Sequence, residues 1–296
     1  LQPRPVAAGA FVLLAVLGYG EAQLRSRVPG DAGLDVAIVQ PALPGDWRAS
    51  LAGVPRSLAR LRALSAAVAD AGTELLVWPE NALGFGLAGN DDLVGRVASV
   101  AGGAAMLLGA PRTVEHDGGV HFRNTAFLVG RDGRLAGHYD KIRLTPWAEY
   151  LPLRLGGFGR REWAAADRYE PGEARTLFPV GGHRFATMIC FEAVYPELAR
   201  EFVLAGAEFL VNLSNDDWFG DEAAVAQHFV AALFRAVENR RFLVRVTNSG
   251  RSGLVDPRGI VVTTLPDGEP ATARLEVGPA RELSVYTRLG DAFAWI

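Results

Sequence analysis

From residue 34 onward, short apolar runs alternate with stretches whose apolar residues recur every three or four positions, and this alternation restricts the chain to strands layered against helices. LDVAIV (34–39), ELLVW (74–78), AMLLGA (105–110), RFATMIC (184–190) and EFLVNL (208–213) read as buried strands. Between the first two, Leu51, Val54, Leu58, Leu61, Leu64 and Val68 line one face of a predicted helix. Pro55 fits only its first turn, and Gly72 is placed to end it. Further helices are predicted over 91–101, 196–205 and 222–239, the last with Val225, Phe229, Ala232, Leu233 and Ala236 on one face. Residues 122–129 and 134–140 form a predicted hairpin around Arg131-Asp132-Gly133, because Asp-Gly is a strong turn signal. Strands at 242–247, 253–256, 260–264 and 272–277 complete the pattern, and 151–173 reads as loop. Helices interleaved with strands and hairpins predict an α/β fold of helix-covered mixed β-sheets, not a doubly wound parallel sheet.

Composition removes several classes of function. Hydrophobic residues at 49% and charged residues at 21% suit a packed core. A net charge of −3, with both signs interspersed, argues against a nucleic-acid binder, which needs a concentrated basic surface. Cys190 is the one cysteine, so no intrachain disulfide forms. The five histidines lack metalloprotease or zinc-finger spacing, so neither a metal nor a cofactor is expected. Gly84-Phe85-Gly86-Leu87-Ala88-Gly89 satisfies G-x-G-x-x-G, but it stands away from its strand and lacks the acidic residue a dinucleotide fold requires. Ser249-Gly250-Arg251-Ser252-Gly253 is not the G-x-S-x-G elbow of a serine hydrolase.

The N-terminus stands apart. Residues 6–19 are uncharged and apolar, and Glu21, Arg25 and Arg27 follow. The run is shorter than the roughly 20 residues that span a bilayer. Three readings stand: the end of a truncated transmembrane helix, a signal segment introduced by Arg4, or a buried helix.

Three motifs at predicted strand ends carry groups suited to chemistry. Trp78-Pro79-Glu80 follows a buried strand, where partial desolvation would raise the carboxyl toward general-base range. Tyr139-Asp140-Lys141 follows the hairpin, and its ammonium could stabilise an oxyanion with Glu149 holding it in place. Ile189-Cys190-Phe191-Glu192 precedes the helix opened by Tyr195-Pro196-Glu197, whose N-terminal field is expected to favour the thiolate. Taken singly, each has a plainer reading: a loop carboxylate or cap, a surface lysine, a small buried thiol.

Taken together and in this order, the Glu, Lys and Cys motifs resemble those of the nitrilase (carbon–nitrogen hydrolase) superfamily over roughly 34–280. The resemblance implies an α-β-β-α four-layer sandwich in which Glu80 is the base, Lys141 the oxyanion stabiliser and Cys190 the nucleophile that carries a thioester. YDKIRLTPWAEYLP (139–152), NLSNDDWFG (212–220), the long 227–259 segment and YTRLGD (286–291) are similar, more narrowly, to the apolipoprotein N-acyltransferase family. That likeness implies a phospholipid acyl donor, a diacylglyceryl lipoprotein acceptor and a place in the bacterial inner membrane with the catalytic domain on the periplasmic side. It further implies a catalytic domain over 29–284, with 1–28 and 285–296 leading to and from membrane helices. Glu149, Phe191, Glu192 and Trp218 are then expected to support the triad or position substrate. Phe191 stands where that family commonly has tyrosine, and Trp147-Ala148 where it has Phe-Gly.

Two rival readings remain: a soluble amidase using the same triad on a small amide, and a non-catalytic membrane-anchored binding module. Leu83, Phe85 and Leu87, with Leu153, Leu155, Phe158 and Trp163, lie in glycine-containing segments and are expected to form loops that dip into lipid.

Overall fold

The computed structural model describes residues 3–28, 33–45, 53–116, 119–150 and 169–292. In chain order the strands are β1 (Leu34–Gln40), β2 (Leu75–Val77), β3 (Ala105–His116), β4 (Gly119–Val129), β5 (Leu135–Asp140), β6 (Leu177–Val180), β7 (His183–Ile189), β8 (Phe209–Ser214), β9 (Leu243–Thr247), β10 (Gly253–Val255), β11 (Val261–Thr264) and β12 (Ala271–Val277). The helices are α1 (Pro3–Arg25), α2 (Gly53–Val68), α3 (Asp91–Ala98), α4 (Pro196–Leu204), α5 (Glu222–Asn239) and α6 (Val285–Leu289).

Two six-stranded sheets result, ordered β12-β1-β2-β3-β4-β5 and β11-β10-β9-β8-β7-β6. Each has a parallel centre, β1-β2-β3 and β7-β8-β9, flanked by antiparallel strands. The two halves of the chain thus trace the same path: three parallel strands joined by two helices, then an antiparallel pair. Alternation sorts the first sheet's side chains between two cores. Val36, Ile38, Leu75, Val77, Leu107 and Leu128 pack toward the second sheet with Phe178, Phe185 and Met188. Their neighbours Ala37, Val39, Leu76, Met106, Leu108 and Phe127 pack against Leu61 and Val68 of α2 and Val94 and Val97 of α3. On the far side, Leu198 and Phe202 of α4 and Phe229, Ala232 and Ala236 of α5 cover the second sheet. The fold is the expected α-β-β-α four-layer sandwich with mixed sheets.

The apolar loop over 81–89 departs from expectation. Leu83 and Leu87 are fully buried beside α2 and α3, and Phe85 is half-buried against them, so they are core and do not form a lipid-dipping loop. Leu153, Leu155, Phe158 and Trp163 lie outside the described residues. At the N-terminus, the reading as a buried helix fails. In α1, Phe11, Val12, Leu13, Leu14, Val16 and Leu17 are all exposed. Among the described residues no helix is long and apolar enough to cross a membrane. At the other end α6 is pinned to α5, where the Thr287 hydroxyl donates to Asn239 Oδ1 at 3.0 Å and Ser284 Oγ caps Thr287 N at 2.9 Å.

Candidate active site

Strand ends from both sheets meet at one pocket. Glu80 follows β2 after Trp78, whose indole Nε1 donates to Ser65 Oγ of α2 at 2.9 Å and fixes the strand's exit. Gly109 of β3 lets the two backbones approach: a Cβ there would lie 2.6 Å from Glu80 Cα. Lys141, the only lysine in the sequence, leaves β5 on the same face as Tyr139. Asp140 points the other way, where Arg112, Arg123 and Thr125 bind its carboxylate. Cys190 is the first residue of a single 3-10 turn (Cys190–Val194) after β7, with φ 51°.

Lys141 Nζ lies 2.8 Å from Glu149 Oε2, 3.8 Å from Glu80 Oε1 and 2.9 Å from Thr145 Oγ1. Asn124 of β4 ties the two carboxylates together, its Nδ2 donating to Glu80 Oε1 and to Glu149 Oε1, both at 2.7 Å. Glu80, Lys141, Glu149, Asn124 and Cys190 are all buried. Burial raises the Glu80 carboxyl above its ordinary value; the Lys141 charge opposes this and Glu149 reinforces it. Burial alone would lower Lys141, but the Glu149 and Glu80 carboxylates outweigh it and hold the ammonium firmly charged. That same ammonium keeps Glu149 below its usual value despite its burial.

Cys190 does not have the expected thiolate-favouring field. Burial, then the Glu80 charge, push its thiol up to about 12, with Lys141 opposing. The reason is local. The turn that starts at Cys190 is one 3-10 turn, and α4 begins only at Pro196, so the cysteine does not stand at the first turn of that helix. The resting group is a neutral thiol, so it needs a base to become a nucleophile.

Glu192 couples the cysteine turn to the lysine loop. Its Oε1 accepts from Tyr139 OH at 2.7 Å, Ile142 N at 2.7 Å and Arg143 N at 3.0 Å. Its Oε2 accepts from Ile189 N at 2.7 Å. Burial pushes this carboxyl up to about 7 against those hydrogen bonds. Phe191 lines the pocket and packs edge-on against Tyr195 at 5.8 Å. Trp218 closes a short turn (Asp216–Trp218), and its side chain lies outside the described residues. Of the other two positions that differ from the expected motif, Ala148 lines the pocket and Trp147 is exposed with φ 66°.

The pocket encloses about 370 Å³, with Glu80, Lys141 and Cys190 beside apolar walls that include Leu83, Pro111, Tyr169, Phe191 and Phe219. Glu80 Oε2 and Asn124 Oδ1 are buried with no hydrogen-bond partner among the described residues. A carboxylate with a free lone pair beside a neutral thiol can take its proton, and an ammonium across the pocket can stabilise an oxyanion. Sequence reading missed Asn124 and Thr145. For Asn124 the available signal was a polar residue at the head of the apolar run Ala126-Phe127-Leu128-Val129, where β4 enters the core.

Comparison with known proteins gives the chain's family. The carbon–nitrogen hydrolase family model matches residues 35–282. Apolipoprotein N-acyltransferase of Geobacter metallireducens is 34% identical over 99% of this chain and 58% of its own length. That of Pseudomonas putida is 33% identical over 97% of this chain and 57% of its own. The chain therefore spans somewhat more than half the length of these relatives. Among solved structures, a mutant amidase from Nesterenkonia sp. AN1, carrying the acetamide moiety of fluoroacetamide on its active-site cysteine, superposes with a TM-score of 0.63. It is 20% identical and covers 92% of this chain and all of its own, a likeness of fold.

Proposed function

The chain belongs to the carbon–nitrogen hydrolase family, and from that premise we propose that it moves an acyl chain from a phospholipid to the N-terminal amine of a diacylglyceryl-cysteine lipoprotein, through a thioester on Cys190. The observation that carries the reading is the convergence of Glu80, Lys141 and the Cys190 thiol in one pocket that also has apolar walls at Leu83, Pro111, Phe191 and Phe219. In the first half-reaction Glu80 takes the thiol proton and Sγ attacks the ester carbonyl. Lys141 Nζ and the backbone N–H of Phe191 stabilise the tetrahedral oxyanion. Its collapse breaks the C–O bond, Glu80 returns the proton to the leaving oxygen, and a lysophospholipid departs. In the second half-reaction the lipoprotein amine attacks the thioester, Glu80 accepts the amine proton, and collapse breaks the C–S bond to restore the thiol.

Glu149 and Asn124 hold Lys141 and Glu80 in place, and Glu192 fixes the separation of the lysine loop from the cysteine turn. Phe191, and Trp218 beside it in role, position the acyl chain. The membrane assignment, a bacterial inner-membrane protein with its catalytic domain on the periplasmic side, draws support from the exposed apolar residues of α1. The catalytic domain is assigned to 29–284, with 1–28 and 285–296 leading to membrane segments.

A soluble-type amidase is the second reading, favoured by the amidase likeness of the fold. One experiment separates them. Incubated with phospholipid vesicles and no acceptor, the protein is expected to gain one acyl mass by intact mass spectrometry. Neutral hydroxylamine should remove it, and Cys190→Ala should never acquire it. A full-length, lipid-embedded protein that hydrolyses small amides yet never gains that mass would promote the amidase.

A further inference from the structure

Beneath the nucleophile lies a second buried cluster that the triad chemistry leaves unused. His228 of α5 is buried, and its Nε2 lies 3.1 Å from the Cys190 carbonyl oxygen. Asn212 of β8 donates its Nδ2 to the same oxygen at 3.4 Å. A carbonyl oxygen only accepts, so Nε2 carries the ring hydrogen. On the other side of the ring, Nδ1 lies 3.0 Å from Asp216 Oδ1 and 3.1 Å from Arg245 NH2. Arg245 in turn binds Asp216 Oδ2 at 2.8 Å and the Asn212 side-chain oxygen. Gly250 admits the Asp216 carboxylate, which a Cβ at that position would strike. Phe219, a pocket wall, packs edge-on against the His228 ring at 5.2 Å.

We propose that His228 is a positioning residue that aims the peptide plane between Cys190 and Phe191, and so sets the direction of the Phe191 N–H that receives the oxyanion. A trans peptide is planar, with its C=O and N–H pointing opposite ways. Whatever holds the Cys190 oxygen therefore orients the Phe191 hydrogen. This hold is needed because Cys190, at φ 51°, occupies a left-handed conformation that a non-glycine residue leaves readily when nothing fixes it. Arg245 and Asp216 lock the ring from behind. Burial and the neighbouring Arg245 charge hold the imidazole below its ordinary value, which suits a neutral Nε2–H tautomer whose Nδ1 accepts from Arg245.

The inference rests on Cys190 acting as nucleophile, and its test separates the two claims. Alkylation of Cys190 by iodoacetamide needs the sulfur but no oxyanion site; acylation by a p-nitrophenyl ester, read as the burst of nitrophenolate, needs both. His228→Asn keeps a polar group facing Asp216 and Arg245 but falls short of the Cys190 carbonyl. His228→Gln can still reach it with Nε2. The Asn variant should lose roughly 10²-fold in the acylation burst, as when one oxyanion donor is misplaced, and keep its alkylation rate within about threefold. The Gln variant should recover most of the burst. Alkylation and acylation falling together in the Asn variant, or neither changing, would overturn the role. A wild type that is neither alkylated nor acylated at Cys190 would instead overturn Cys190 as nucleophile, and the inference with it. If both variants misfold, the ¹⁵N imidazole spectrum of the wild type decides: a His228 Nε2 without a hydrogen removes the proposal.

Discussion

Two buried charge clusters sit on either side of Cys190, and they differ in what they leave undone. The cluster above it holds two carboxylates, Glu80 and Glu149, against one ammonium, and it opens on a pocket. The cluster below pairs one carboxylate with one guanidinium, Asp216 with Arg245, both with fully buried side chains. Among the described residues one Glu80 oxygen has no hydrogen-bond partner, whereas both Asp216 oxygens accept from Arg245 and Oδ1 also accepts from Ser214 Oγ at 2.7 Å. The ionisations differ in the same sense. Burial prevails at Glu80 and raises it, while at Asp216 the Arg245 charge and the Ser214 hydrogen bond overcome burial and hold the carboxyl far below its usual value. Charge left incompletely paired beside a cavity is available for proton transfer; charge that is paired and sealed acts as a frame.

Neutralising one acid in each cluster probes this contrast most strongly. Glu80→Gln should slow Cys190 alkylation near neutral pH by about 10²–10⁴-fold, the usual contribution of a general base. It should also raise stability. A carboxyl whose folded-state value is raised penalises folding once it ionises, so the gain should appear above the ordinary value of 4.5 and vanish below it. Asp216→Asn should do the reverse. A depressed carboxyl contributes stability above its ordinary value of 3.8, and that contribution is lost as pH falls below this toward the folded-state value. The Asp216→Asn deficit should therefore be full at neutral pH and narrow in acid. Urea titrations of both variants from neutral pH to below 4 would check the signs; equal signs would erase the distinction.

Removing the cation from each cluster gives the next contrast. Arg245→Met strands Asp216 in a sealed site and should cost about 3–5 kcal/mol, the range for a broken buried pair. Lys141→Met should cost less, because Glu149 keeps the Asn124 and Thr145 N–H donors and both carboxylates border the open pocket. Its loss should fall on chemistry: about 2.7–4 kcal/mol of transition-state stabilisation, as for one oxyanion donor. Chemical denaturation set beside acyl-enzyme formation would resolve the two. A Lys141→Met protein as unstable as Arg245→Met would make the upper cluster a frame as well.

The two clusters were unequally legible in the sequence, for a physical reason. Glu80, Lys141 and Cys190 each follow a predicted strand, and strand ends are where sandwich and layered α/β folds present side chains to a cleft. The lower cluster comes from alternate positions of β8 and β9, Asn212, Ser214 and Arg245, inside runs that read as plain buried strand. Periodicity identifies a strand but does not say which buried polar residues will find each other. The strand β6 was missed because Pro179 argues against strand, and it is tolerated here at the edge of the sheet, where among the described strands β6 pairs only with β7. The thiolate expectation failed because distance along the chain from Cys190 to Pro196 does not reveal that a separate turn intervenes.

The smallest effect is expected where the clusters touch. Ser214 Oγ donates to Asp216 Oδ1, and as a nearby donor the same hydroxyl also draws the Cys190 thiol down against its burial. A hydroxyl has one hydrogen, so the two acceptors compete for it. With the thiol protonated, Asp216 is the charged acceptor and holds the hydrogen; when Glu80 removes the thiol proton, the hydroxyl can rotate toward the sulfur. Because Asp216 retains Arg245 throughout, the net worth of that rotation is that of an ordinary hydrogen bond, about 0.5–1.5 kcal/mol. At 1.4 kcal/mol per factor of ten, Ser214→Ala should slow alkylation by about two- to tenfold. Its alkylation profile should also shift to higher pH, since the variant thiolate loses a donor. An unshifted profile with an equal loss of stability would mean that Ser214 serves Asp216 alone and that the lower cluster stops short of the sulfur.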